Sequence, residues 1–553
     1  MKKRTLLGLC SALALTVLLY SCSSADKNAL PVPKDAAFVL HLNAKSLSSK
    51  LTWEELKQTN WFREGHASAN DSFVKQLLQN PETSGIDTKD EIVFFVKRAN
   101  ESEGYAVVSG RIKDAAAFEA FNKQIAVKSE GNTTASKEGD VTSMQVNKKA
   151  LASWSGDKFL YVIDMNTPKV NWGEKMGDSV ILDSSGNVIP NPNLEDMSTV
   201  TPADLKGYAA RLFKMSGDSL LVSDSRYTNL LKKDADMHLW SSAEHAYGGS
   251  LPFGMLSMLK LDNYFKNSVT TATLNFENGK IVLDAKSFSN EQMTALMKKH
   301  QGKDINTNLL QRIPSDTVLG VLIMNYPPEG LKEFLKLGGL DGMTNSFLAE
   351  VGLTLDDFIS ANKGDLMFAV TNFGWKERVV ELGEGMEPYR TTSPDVQVVF
   401  ANSIGNKASF DKLVEVGKKF GGEMNSGDKQ FVFYNMNNDL FVAGSSQQLV
   451  DNYLQGNANK SFAFTDKIKD HPFGLYVDLQ KVISRSARVK DSTNQRFVDE
   501  SLKMWQDVVI TGGEFNDGGV EQHMEVNLVD KNTNALKQIN QYADRMHTPK
   551  KGF

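Results

Sequence analysis

The chain has 553 residues, is 41% hydrophobic and 23% charged, and contains 41 Gly, 15 Pro and two Cys. These proportions exclude a disordered, collagen-like or polytopic membrane protein, and two cysteines exclude a disulfide scaffold or a multi-cysteine metal site. With 62 basic and 67 acidic residues, there is no global charge signal for nucleic acid.

Lys2, Lys3 and Arg4 precede an apolar run, Leu6 to Leu19, too short to span a bilayer comfortably and placed as in an export signal. The run ends at Leu19-Tyr20-Ser21-Cys22, and Ser23, Ser24, Asp26, Lys27 and Asn28 follow. A small residue before Cys at this place resembles a bacterial lipobox. The resemblance implies cleavage after Ser21, a diacylglycerol on the Cys22 thiol and an acylated Cys22 amine. Several chains, at about 0.8 kcal/mol per buried CH₂, hold a protein on a lipid bilayer where one would not. Residues 1–21 thus read as a lipoprotein signal peptide and 22–34 as a lipidated tether. Loss of the leader leaves 59 basic against 67 acidic residues, a formal charge of −8. Ser23 follows the cysteine, without an acidic cluster, so the expected location is the outer membrane facing the periplasm, with surface exposure open.

Length alone points to three or four domains, but an internal repeat reduces this to two halves, 35–310 and 311–553. Pro33-Lys34-Asp35-Ala36-Ala37-Phe38-Val39-Leu40-His41-Leu42-Asn43 parallels Pro314-Ser315-Asp316-Thr317-Val318-Leu319-Gly320-Val321-Leu322-Ile323-Met324-Asn325. Each reads as a turn feeding an apolar strand. Thr52-Trp53-Glu54-Glu55 opens a helix as a capping box. Gly85 to Asp90 and the strand Ile92 to Val96 match Gly352 to Asp357 and Leu366 to Val370. A strand at Ala106 to Val108 and a helix bearing Phe118, Phe121 and Ile125 match Val396 to Phe400 and a helix bearing Phe410, Leu413 and Val414. Phe159 to Val162 matches Asp439 to Val442.

Residues 166–207, rich in Asn, Asp, Ser and Pro, read as an insert in the first half. Its Asp178, Asp183, Asn187, Glu195 and Asp196 offer oxygen donors of the kind calcium takes, without EF-hand spacing. Leu274-Asn275-Phe276-Glu277-Asn278-Gly279 matches Gly513-Glu514-Phe515-Asn516-Asp517-Gly518 as a hairpin, with a type I′ turn expected at Asn278-Gly279. Closing helices follow, one opened by Ser289-Asn290-Glu291-Gln292 with capping-box spacing, the other within Asn532 to Met546. Lys298-Lys299-His300 and Lys418-Lys419 are expected in final helical turns. Strands broken by helices, with several hairpins, place the fold in the α+β class, with largely antiparallel sheets.

Ser216-Gly217-Asp218-Ser219-Leu220 contains the letters of the GDSL hydrolase signature. It lies mid-chain without a following Asp-x-x-His, and reads better as a hairpin. Asp236, His238, Glu244 and His245 form the densest set of potential metal ligands, yet no helix-borne histidine spacing occurs. His238 therefore reads as a surface residue of a strand, and no metal or cofactor is expected. Trp172 and Trp375 stand in polar, glycine-containing segments and are the candidate ligand-binding residues, for stacking on a glycan or anchoring a protein.

The lipobox, the Pro33–Asn43 opening and the Ser46-Leu47…Leu51-Thr52-Trp53 segment together resemble Bacteroidota lipoproteins of domain-of-unknown-function family 4836. The resemblance covers essentially the whole mature chain and implies an envelope location and a duplicated fold. It carries over no catalytic residue. The expected function is that of a membrane-anchored binding or assembly protein; the alternative is an envelope hydrolase acting on a glycan or ester.

Overall fold

The computed structural model describes residues 30–69, 71–98, 102–167, 181–182, 188–189, 203–247, 262–380, 389–424, 432–486 and 492–547. The leader, Cys22, Trp172 and the five oxygen-donor residues of the insert lie outside them. The fold is α+β with antiparallel sheet. The chain divides into two compact units, one formed by Met1–Ser46 and Ala69–Leu251, the other by Leu47–Ser68 and Pro252–Phe553. No helix of the described residues is long and apolar enough to cross a membrane.

In the first unit the strands are β1 (Phe38–Leu42), β2 (Ile92–Arg98), β3 (Gly104–Arg111), β4 (Ser136–Glu138), β5 (Val141–Asn147), β6 (Ala150–Ser155), β7 (Lys158–Asp164), the short pair β8 (Ile181–Leu182) and β9 (Val188–Ile189), and β10 (Met237–Ser242). All but β8 and β9 form one antiparallel sheet, in the order β10-β1-β2-β3-β7-β6-β5-β4. Alternation dictates this arrangement. In β1, Val39 and His41 are buried while Phe38, Leu40 and Leu42 are half-buried, the period-2 pattern of a strand with two unlike faces. The helix Ala115–Lys128 starts where the Asp114 side chain accepts from the backbone N–H of Ala117, as an N-cap should. It buries Phe118 and Ala126 against Met144, Ala152, Trp154 and Phe159. The Phe118 ring meets Trp154 edge-on at 5.5 Å. Buried Asn122 donates to the Phe118 carbonyl at 2.8 Å and accepts from the Tyr161 hydroxyl at 2.9 Å, so the polar group is satisfied on both sides.

The second unit contains β11 (Val269–Glu277), β12 (Lys280–Phe288), β13 (Gly320–Asn325), β14 (Asn362–Val380), β15 (Tyr389–Ile404), β16 (Phe433–Met436), β17 (Leu440–Gly444), β18 (Phe473–Asp478), β19 (Trp505–Asn516) and β20 (Gly519–Leu528). Their antiparallel order is β11-β12-β20-β19-β18-β13-β14-β15-β17-β16. One face packs into a core through Val321, Ile323, Met367, Ala369, Val399, Ala401 and Val442, joined by Leu309, Leu310, Ile313 and Tyr453. The fully buried Tyr453 hydroxyl donates to the Leu309 carbonyl at 2.7 Å.

Several local expectations change in detail. The turn at Asn278-Gly279 is not type I′, because only Gly279 has positive φ. Asn278 is held extended by a bridge to Asn534, and Gly279 donates to the Thr533 carbonyl. A Cβ on Gly279 would stand 2.5 Å from the Lys531 backbone. The matching turn does have positive φ at both Asp517 and Gly518, as type I′ requires. The helix Glu291–Lys299 is capped by Asn290 rather than by a Ser289 box, with the Asn290 side chain accepting from Met293 N–H. The helix Lys407–Met424 continues past Lys418 and Lys419, which therefore stand a turn short of its end. At Thr52 the capping box is complete: Thr52 accepts from Glu55 N–H, and the Glu55 carboxylate accepts from Thr52 N–H.

Candidate functional site

β14 and β15 outrun their neighbours. β13 pairs with β14 only from Asp365 to Val370, and β17 pairs with β15 only from Val399 to Ser403. The two long strands continue as a ribbon in which Asn372 to Val380 pair with Tyr389 to Gln397. On the sheet face opposite the core, Leu322, Phe368 and Phe400 lie side by side in register across β13, β14 and β15. A bulge after Val370 shifts the phase, and Phe373 then pairs with Val396 and Trp375 with Pro394. Phe368 is 41% exposed and Val396 38%; Leu322, Phe373 and Phe400 are half-buried.

Trp375 belongs to this surface. Its ring meets Phe373 at 5.8 Å and a near-perpendicular 79°, and its Nε1–H donates to the Ser486 carbonyl at 3.4 Å. The indole is thus anchored at its polar end by the helix Leu479–Ser486, with its apolar body part of the surface. Farther along the ribbon Val379 is 59% exposed. The charged neighbours are matched to each other: Lys376 faces Asp395 at 3.6 Å and Arg390 faces Glu377 at 3.6 Å. The surface thus offers apolar contact, and the charged groups at its rim already have partners.

Sequence reasoning singled out Trp375 and missed Phe368, Phe373 and Val396. The signal was present in Leu366-Met367-Phe368-Ala369-Val370, which is apolar at every position. A strand with only one buried face alternates; one apolar on both sides has a second face to cover.

The other sequence candidates resolve differently. The segment at Ser216–Leu220 is no hairpin: Leu205–Lys214 is a helix, and Gly217–Ser219 is a single 3₁₀ turn. It is pinned by Leu220 bridging Pro33 and by Lys34 N–H donating to the Ser219 carbonyl. The Ser219 hydroxyl donates to the Ser216 carbonyl at 2.7 Å, the bond of a local turn. His238, expected on the surface, is 6% exposed. It sits on the inward register of β10 with Trp240 and Ser242, because the β10 alternation places even-numbered positions inside. Asp236 is also fully buried and accepts from the Ser46 hydroxyl at 2.6 Å. Glu244 and His245 lie on the next helix, Ala243–Tyr247. Among the described residues, no three His, Cys, Asp or Glu side chains are grouped to hold a metal.

His238 does have a close companion that sequence reasoning passed over. His41 of β1 pairs directly across the strands with His238, and their ring centroids are 5.8 Å apart. His41 Nε2 lies 3.2 Å from a Glu91 carboxylate oxygen, and His238 Nε2 lies 2.8 Å from the Lys233 carbonyl oxygen. Burial and the neighbouring His41 depress the His238 pKa below the usual histidine value, against the opposing pull of the Lys233 hydrogen bond.

No family model matches the chain, and neither does any curated protein or solved structure.

Proposed function

We propose that this chain is a lipid-anchored envelope protein, built from two related halves, that binds a polypeptide partner through the apolar face and ribbon of β13–β15. The leader motif supports the anchor: Cys22, the one cysteine left after cleavage, follows a small residue at the end of an apolar run. On the lipoprotein resemblance, the body hangs from acyl chains in the outer membrane and faces the periplasm.

Support for the duplication comes from strand order. In the first unit β10-β1-β2-β3-β7-β6 are neighbours, and in the second β18-β13-β14-β15-β17-β16 are. The four strands β1, β2, β3 and β7 of the first series and β13, β14, β15 and β17 of the second stand in equal places and carry the matched sequence segments, and each series has its helix after the third matched strand. The hairpins β11–β12 and β19–β20 add an independent test. Their sequences align with a spacing of 239 residues, and β12 and β20 pair antiparallel with Asp284 opposite His523. Those two residues are themselves 239 apart. One matched pair, Asp284 and His523, therefore faces itself across the β12–β20 seam, with the remaining pairs arranged symmetrically about it, as a local two-fold axis at that pair requires.

The single observation that carries the binding role is the exposed Phe368–Val396–Trp375 surface. Apolar area of this kind, rimmed by charges already paired, marks an interaction site. A glycan platform would need unengaged polar groups around the ring, and here Lys376, Glu377, Arg390 and Asp395 are engaged with one another. A photo-crosslinking residue at Val396, in the membrane-bound full chain, should give a discrete adduct with one polypeptide. Phe368→Asp should abolish that adduct and leave membrane fractionation unchanged. Adducts no different from those made by a crosslinker at exposed Lys137 would overturn the proposal.

A further inference from the structure

Two imidazoles in contact, both more than nine-tenths buried, are uncommon in a sheet interior, because each is a base that gains a proton near neutral pH. His41 is 7% exposed and His238 6%. The Lys233 carbonyl can only accept, so His238 Nε2 carries hydrogen in the neutral ring; the Glu91 carboxylate imposes the same tautomer on His41. In both rings Nδ1 is then a bare lone pair, and in both it is buried without a hydrogen-bond partner. An unsatisfied buried acceptor is a liability that a sheet ordinarily avoids.

The ionic surroundings are lopsided. In the second unit His471, His523 and His547 each stand against a carboxylate, Glu514, Asp284 and Glu64 respectively, and His300 shares Glu333 with Lys299. Among the described residues, the His41–His238 pair has one carboxylate contact, Glu91, for two rings. Glu91 is itself held ionised chiefly by its bond to His41, with Arg111 assisting, and Arg111 is shared with Asp90 and Asp157. From the loop before β10, Asp234 favours a charged His238 at a distance, while Lys233 contributes its carbonyl. Buried Asp236 is bonded to Ser46. From the helix Ser225–Leu231, Tyr227 is neutral and Arg226 is paired with Asp224. Glu244 and His245 follow β10 on the helix Ala243–Tyr247. Of the carboxylates, Glu91 is the one seen in direct contact with a ring among the described residues, at His41 Nε2.

We propose that the His41–His238 pair is an acid-sensitive latch on the β10–β1–β2 part of the first unit, closed while both rings are neutral and released when both are charged. One proton can be countered by Glu91. A second places two imidazolium rings 5.8 Å apart in the sheet interior, where like charges are poorly screened, and parting β10 from β1 relieves this by admitting water. The direction follows from linkage. A histidine held below its unfolded pKa of about 6.5 takes up its proton more readily in the opened state, so the closed state is fully favoured above that pH and loses ground as pH falls below it. Each extra proton bound on opening costs up to about tenfold in the closing equilibrium per pH unit.

The test is hydrogen exchange by mass spectrometry on the full chain in detergent at pH 7.5 and pH 5.0, corrected for intrinsic exchange rates. Peptides covering Phe38–Leu42 and Met237–Ser242 should lose protection about tenfold or more at pH 5.0, while those covering β13 and β18 keep theirs. His238→Phe, which fills the ring's space without a titratable nitrogen, should remove the acid-linked loss. Equal protection of β1 and β10 at the two pH values would overturn the latch, as would an equal loss across both units. An unchanged acid response in a His238→Phe chain protected at pH 7.5 would also overturn it. If that variant is unfolded at pH 7.5, the wild-type comparison of β1 and β10 with β13 and β18 decides alone.

Discussion

Exchanging Asp284 and His523 tests whether the two hairpins of the second unit are related by a local two-fold axis. His523 Nδ1 and Asp284 Oδ1 are 2.6 Å apart, with side chains 41% and 49% exposed. A hydrogen bond of this type is worth about 0.5–1.5 kcal/mol, and exposure keeps it in the lower part of that range. Asp284→His sets imidazole against imidazole, and His523→Asp sets carboxylate against carboxylate beside Glu525; each should cost about 1 kcal/mol. The double exchange puts the same two groups back in contact with their strands reversed. If the axis is real, the backbone frames at 284 and 523 are alike and the contact re-forms. Recovery should fall short by a few tenths of a kcal/mol, for a reason visible in the structure. His523 Nε2 also lies 3.5 Å from Glu525, whereas the position matching Glu525 on the other strand is Lys286, which a histidine at 284 would meet instead. Urea unfolding of the four chains, with exchange read on β12 and β20, gives the coupling energy. A double variant as unstable as the sum of the two singles would refute the two-fold relation.

Cys22→Ala should release the protein from the membrane fraction into the soluble envelope fraction, and a variant still sedimenting with membranes would remove the anchor. Ser219→Ala, which deletes only a hydrogen bond to the Ser216 carbonyl, should lower stability by no more than about 1 kcal/mol and change no esterase signal above background. Phe118→Ala should cost about 3–5 kcal/mol by opening a cavity in the first unit, measured by thermal unfolding, since Phe118 is fully buried against Trp154 and Phe159. Glu55 is held at about 2 by Lys537 and by the Thr52 capping box. Its contribution should be present above about pH 4.5 and fade as pH falls toward 2, a fade that Glu55→Gln eliminates in acid titrations of the unfolding midpoint.

How far the sequence could be read depended on whether a feature is local. Capping at Thr52, the helix around Phe118 and the hairpin strands at β11–β12 and β19–β20 were legible because alternation, caps and turns act within a few residues. The 3₁₀ turn at Gly217–Ser219 was not, since Pro33 and Lys34, far away in the chain, hold it in place. The same holds for Asn278, kept extended by Asn534 against its own turn preference. His238 shows the limit most clearly: its strand was readable, but which face of that strand is buried depends on what packs there. Its partner His41 stands nearly two hundred residues earlier, and no spacing rule joins them.

The same dependence on register explains why the ribbon surface escaped notice. Trp375 is conspicuous as a residue, whereas Phe368, Phe400 and Leu322 become a surface only once β13, β14 and β15 are in register. The core side of these strands is closed by Val321, Met367 and Val399; on the opposite face Ile404 and Phe441 are packed under Phe410, while Phe368 and Val396 stay exposed. Large side chains left half-exposed on such a face are costly to solubility unless something covers them. On the proposed binding role, their placement next to a ribbon that extends beyond the sheet would give a polypeptide partner both an apolar bed and an edge to grip. A charged substitution at Phe368 therefore separates the two roles of these strands: it leaves the Val321–Met367–Val399 core intact and removes the bed, so binding should fail while the fold persists.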